Sequence, residues 1–110
     1  MGVTRTDLFT SEQNELARVA RVFGHPARIA IIQHLLQANA CINSDLVHEL
    51  GLAQATISQH LRELKDLGII KGTIEGSSIS YCIDADCWKR VEATFQHLFS
   101  QFKNPNDQCC

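Results

Sequence analysis

The chain has 110 residues, 45% of them hydrophobic, with a formal net charge of −2. That length suits one globular domain with a modest core, and no apolar run is long enough to span a bilayer. The slightly acidic balance argues at first against a nucleic-acid partner without excluding one, because a weakly charged binder leans on shape and base contacts.

Residues 1–10 show no clear period and are expected to form a flexible arm without the apolar core of a secretory signal. Ser11, with Asn14 three residues on, is placed to cap a helix reaching Phe23. Leu16, Val19, Ala20 and Phe23 form its apolar stripe, Arg18 and Arg21 face out, and Gly24 ends it. His25-Pro26-Ala27-Arg28 opens a second helix, since proline is tolerated where its missing N–H has no partner. Ile29, Ala30, Ile31, Ile32, Leu35 and Leu36 are apolar on nearly every side, which predicts a central buried helix. His25 and His34 read as boundary or surface histidines.

After a connector, residues 37–42, Asn43 or Ser44 caps a short helix, Asp45–Leu50, with Leu46, Val47 and Leu50 inward. Gly51-Leu52-Ala53 turns the chain into a helix from Gln54 closed by Gly68. Ile57, Leu61 and Leu64 share one narrow stripe there. Gln59 and Arg62 lie opposite, with Ser58 and Lys65 on one flank, Thr56 on the other edge and Gln54 near the start. A short capped helix, a glycine turn and a second amphipathic helix form a helix-turn-helix pattern. Its polar front matches base edges and phosphates of a major groove. Between residues 51 and 83 the cations Arg62, Lys65 and Lys71 balance Glu63, Asp66 and Glu75.

Ile70, Gly72 and Ile74 then alternate with Lys71, Thr73 and Glu75, and Gly76-Ser77 forms a turn. Ile79, Tyr81 and Ile83 alternate with Ser78, Ser80 and Cys82. This is a two-stranded hairpin, and behind a DNA-reading helix such a hairpin is a wing. Asp84 or Asp86 caps the last helix, along which Trp88, Val91, Phe95, Leu98, Phe99 and Phe102 make a broad stripe. Four of those six are aromatic, an excess that points to a dimer interface shared with Leu16, Val19 and Phe23 of the first helix. Residues 103–110 form a polar tail ending in Cys109 and Cys110. The expected fold is a single domain over 1–110, mainly α with a small β-hairpin (α+β): a winged helix-turn-helix with about five helices and a two-stranded wing.

Several segments, in this order and spacing, resemble the ArsR/SmtB family of bacterial winged-helix repressors. They are Phe23–Ile29, Ser44-Asp45-Leu46, Gln54–Leu64, Leu67–Ile70 and Glu75-Gly76. The resemblance spans roughly Leu16 to Phe99. It implies a cytoplasmic homodimer, built on its first and last helices, that represses a promoter until a metal, metalloid, thiol oxidant or sulfide species releases it. By position it places Gln54, Thr56, Ser58, Gln59, Arg62 and Lys65 on DNA, with Lys71 and Ser77 of the wing on the backbone of a palindromic operator. His60 borders the apolar stripe and is read as half-buried.

The effector positions depart from the family. Its paired-thiol motif enters the third helix as Cys-Val-Cys-Asp-Leu, whereas here Cys41 stands one residue early and Ser44 replaces the second thiol. Its zinc spacing falls on Asp84, Asp86 and His97, with Ser100 in place of the last ligand, and such an oxygen-rich set suits Zn²⁺ poorly. Those residues read better as caps and a surface histidine. Five cysteines, an odd count without disulfide-framework spacing, fit a reducing cytosol. Cys109 and Cys110 can offer two soft sulfurs to As(III) or another thiophilic ion, with Cys41 as third donor and Cys82 or Cys87 as alternatives. A redox pair of Cys41 with a tail cysteine is the next option. A winged-helix protein-interaction module and a DNA-binding regulator without sensing are the alternatives. No nucleophile–base–orienter set stands out, so an enzyme is not expected.

Overall fold

The computed structural model describes residues 6–38, 50–75 and 78–104. A 3-10 turn, Thr6–Leu8, leads into α1 (Ser11–Phe23), and α2 (Pro26–Ala38) follows. Next come α3 (Gln54–Leu67), an antiparallel hairpin of β1 (Ile70–Glu75) and β2 (Ser78–Ile83), and α4 (Ala85–Ser100). The architecture is therefore mainly α with one small wing. The expected Asp45–Leu50 helix lies, apart from Leu50, outside the described residues.

The cap of α1 sits one residue earlier than expected. Thr10 Oγ1 accepts from the Gln13 N–H and Gln13 Oε1 accepts from the Thr10 N–H, both at 3.0 Å, a reciprocal capping box. A cap at Ser11 would put Asn14 in the reaching position, where its shorter side chain falls short. Nor is the whole of 1–10 featureless, since the turn at Thr6–Leu8 leads into that cap.

The core gathers Val19 of α1, Ile31, Ile32 and Leu35 of α2, Ile57, Leu61 and Leu64 of α3, then Ile69, Ile70, Cys87 and Val91. The α2 helix is buried on one side rather than all round: Leu36 is 44% exposed, and Ile29 and Ala30 are only half-buried. At the end of α3, Gly68 adopts φ +97°, and its N–H reaches the carbonyls of Leu64 and Lys65 while the Ile69 N–H returns to Leu64 O. A left-handed residue at this point favours glycine. The turn delivers Ile69 and Ile70 straight into the core and so hinges the wing to the helix.

The strand register runs from Ile70↔Ile83 to Glu75↔Ser78 and puts Lys71 across from Cys82. Burial does not follow the apolar alternation to the end, for Ser80 is buried while Ile79 is 41% exposed. Asp84 caps α4 by accepting from the Cys87 N–H at 2.9 Å, which settles the choice between Asp84 and Asp86. Among the described residues no helix is long and apolar enough to cross a membrane.

Candidate nucleic-acid interface

The two faces of α3 are sorted as its 3.6-residue period requires. Ile57, His60, Leu61 and Leu64 are buried, whereas Gln54, Thr56, Ser58, Gln59, Arg62 and Lys65 are all exposed. Several exposed groups pair along the helix at i,i+3 and i,i+4. Gln54 Nε2 donates to Ser58 Oγ at 3.3 Å, Arg62 donates to Gln59 Oε1 at 3.1 Å, and Gln59 Nε2 donates to Glu63 Oε1 at 3.2 Å. Lys71 is exposed on β1, and Gly72 beside it leaves room for the Lys65 ammonium, which lies 3.6 Å from where a Cβ would stand. Ser77 lies outside the described residues.

Contacts from α1 and α2 fix how this face is presented. Arg18 of α1 donates to the Asp66 carbonyl near the end of α3. On the buried side Arg28 of α2 donates through Nε to His60 Nδ1 at 3.1 Å and through a terminal nitrogen to Val22 O at 3.3 Å, and the His25 ring meets His60 edge-on at 4.3 Å. His60 is only 7% exposed, deeper than its borderline angular position suggested. Accepting from a guanidinium requires a neutral imidazole with its proton on Nε2. Burial, then His25, then Arg28 lower the His60 pKa from its ordinary 6.5, and Glu63 opposes them. His60 is a strut, not a reader.

The model of the bacterial regulatory protein arsR family matches residues 25–71, from the His60 strut partners through the helix to Lys71. A cadmium-resistance regulator, the CadC homolog of Staphylococcus aureus, is 33% identical over 95 residues, covering 84% of this chain and 78% of its own. The chain belongs to the ArsR family. CmtR of Mycobacterium tuberculosis is 33% identical over 78 residues, and the match spans 69% of this chain but 65% of that regulator's length. Among solved structures, the transcriptional repressor BigR from Xylella fastidiosa superposes with a TM-score of 0.63 at 26% identity, over 93% of this chain and all of that one. The homodimeric winged-helix domain Mb0332 from Mycobacterium bovis has a TM-score of 0.63 at 19% identity, over 96% of this chain and 94% of its own. ArsR-family proteins are regulators and not enzymes.

The apolar stripe of the terminal helices divides in three. Val19 and Val91, expected at a dimer interface, are core residues at 2% and 8% exposure and have no surface to offer a partner. Leu16, Phe23, Trp88 and Phe95 are half-buried, with Phe23 edge-on to Phe95 at 6.2 Å. Leu98, Phe99 and Phe102 project into solvent, and Phe99 stacks on Phe95. Leu8 and Phe9 are exposed as well and were not anticipated; a Leu-Phe pair just ahead of a helix cap was the available signal.

The family's effector positions are not assembled by the described residues. No group of three His, Cys, Asp or Glu is gathered there to hold a metal ion. Asp86 and His97 stand at opposite ends of α4, about 16 Å apart along its axis at 1.5 Å per residue, so the zinc spacing does not close on one ion within a chain. Cys87 is free but buried in the first turn of α4, its sulfur 4.0 Å from the Leu67 carbonyl, so it serves as core rather than as an open ligand. Cys82 is half-buried and held in a disulfide. Cys41, Cys109 and Cys110 lie outside the described residues.

Proposed function

We propose that this chain is a homodimeric, cytoplasmic transcriptional repressor that binds a palindromic operator in double-stranded DNA and is released by a thiol-modifying signal. One observation carries the DNA reading: every polar residue expected to face DNA on α3 is exposed, over a back that is buried and strutted to α2. Gln54, Thr56, Ser58, Gln59 and Arg62 read bases or their sugars, while Lys65, Lys71 and Ser77 hold phosphates. Leu98 and Phe99 of α4 and Phe102 just beyond its end, with the half-buried Leu16, Phe23, Trp88 and Phe95, meet a second copy, as the homodimeric Mb0332 domain makes reasonable.

Cys82 carries the sensing half. A disulfide in a cytosolic protein is transient and signalling rather than structural, and this one ends directly across the ladder from Lys71. Oxidation by a peroxide begins with attack of the Cys82 thiolate on the peroxide oxygen, giving a sulfenic acid and water or an alcohol. A second thiol then displaces water from it and closes the S–S bond. Cys41, Cys109 and Cys110 are the candidate second thiols. The resulting cross-link restrains the wing where Lys71 reaches the DNA backbone. Release by As(III) or another thiophilic ion bound by the same sulfurs is the second reading, favoured by the likeness to a cadmium-resistance regulator.

The test is fluorescence anisotropy on duplex selected from a random pool, using reduced protein, peroxide-treated protein and protein given As(III), each with Cys82→Ser alongside. Reduced protein binds, oxidant weakens binding, and Cys82→Ser binds equally whether oxidised or reduced. Release by As(III) alone supports the ion reading, and equal responses of wild type and Cys82→Ser to every agent refute a role for Cys82.

A further inference from the structure

Gln59 and Arg62 are engaged before any DNA arrives. Arg62 donates to Gln59 Oε1, and Gln59 Nε2 donates to Glu63 Oε1. Glu63 differs from the other two in being half-buried: it lines a cleft of about 790 Å³ together with Arg18, Arg21 and Arg28. The relay therefore has one half-buried end, at Glu63, and one open end, at Arg62.

A primary amide carries two N–H donors and an oxygen with two lone pairs. With one of each taken, Gln59 keeps one donor and one acceptor side by side. Their order is set, because a flipped amide would turn its NH₂ toward the Arg62 guanidinium and its oxygen toward the Glu63 carboxylate. A fixed donor–acceptor pair complements adenine, whose major-groove edge offers the N7 acceptor and the N6 donor. The remaining donors of Arg62 suit the two acceptors of guanine. From residue 59 to residue 62 the helix rises about 4.5 Å, against 3.4 Å per base pair, so the two bases fall within one or two steps.

Resting on the reading of α3 as the DNA-contacting helix, we infer that Glu63 is a positioning residue that orients the Gln59 amide for adenine, with guanine close by under Arg62. The carboxylate works against phosphate attraction, so Glu63 trades general affinity for orientation.

The experiment is selection of duplexes from a randomised pool by the reduced full-length protein, followed by sequencing. Wild type enriches adenine at one position of each half-site by roughly 5- to 140-fold, the range that follows from ~1–3 kcal/mol per bidentate pair at 1.4 kcal/mol per tenfold. Gln59→Ala identifies that position by losing the preference there. Glu63→Gln, whose amide oxygen still accepts, retains it. Glu63→Ala moves it toward equality among the bases, leaves the guanine preference under Arg62 in place and binds unrelated duplex more tightly. Glu63→Met, which keeps chain length and helix propensity without an acceptor, gives the same readout should Glu63→Ala fail to fold. An unchanged adenine preference in Glu63→Ala or Glu63→Met, or a different base selected under Gln59, overturns the inference while DNA reading by α3 stands. If wild type enriches no sequence, that underlying reading falls and takes the inference with it.

Discussion

Replacing His60 with alanine removes the acceptor that holds Arg28 against the back of α3. The lost bond joins a part-buried guanidinium to a neutral imidazole at 3.1 Å, a charge-assisted contact of about 1.5–3 kcal/mol. The vacated space beside the His25 ring adds to this, for a total of about 2–4 kcal/mol. For a domain of this size that is a fall in Tm on the order of 10 °C. The substitution also changes the response to pH. Because burial, then His25 and Arg28, lower the His60 pKa in the folded state, the unfolded chain takes up a proton first. The His60 contribution is therefore complete above the ordinary value of 6.5 and is lost as pH falls from there toward the lowered folded value. Urea unfolding followed by the fluorescence of Trp88, the single tryptophan, measures both effects between pH 5 and 8. Protein concentration is held constant because a dimer's stability depends on it. Wild type loses stability on acidification over that window, and His60→Ala is weaker throughout with a shallower slope. Equal slopes in the two proteins, or a wild type that gains stability as pH falls, would refute the strut.

Gly68→Ala places a Cβ in ordinary contact with the Cys87 sulfur at 3.6 Å, so its cost is the left-handed conformation alone, about 1–2 kcal/mol by thermal unfolding, with Gly68→Asn recovering part of it. Phe99→Lys with Phe102→Lys charges side chains that are 69% and 78% exposed; sedimentation should show loss of the dimer while circular dichroism keeps its helical signal. Lys71→Ala weakens operator binding equally for all sequences and lowers the slope of log affinity against log salt by about 0.9, leaving base preferences alone.

The exposed face of α3 was legible because a 3.6-residue period sorts side chains without any knowledge of neighbouring elements, and Gly68 announced where the helix stops. The strut was not. Arg28 and His60 lie far apart in the chain, and each taken singly reads as a surface or boundary residue. Val19 and Val91 are a related case: periodicity shows which helix face is apolar but not whether the core or a second copy covers it, and within this chain the core covers both valines. The cap at Thr10 is written in the sequence as Thr-x-x-Gln, but Ser11 beside it offers the same hydroxyl chemistry one residue on. Among the cysteines, strand alternation put Cys82 on the Lys71 side of the hairpin, whereas its disulfide depends on three-dimensional proximity that no spacing conveys.

Selection of duplexes from a random pool by the reduced protein, repeated with Gln59→Ala and Arg62→Ala, tests most directly whether the exposed face of α3 reads DNA. A dimer reading DNA through α3 enriches a two-fold symmetric sequence whose half-sites lie about 10–10.5 base pairs apart, or a multiple of that, with preferences that collapse at separate positions in the two variants. No enrichment at low salt, or identical sequences enriched by all three proteins, contradicts it.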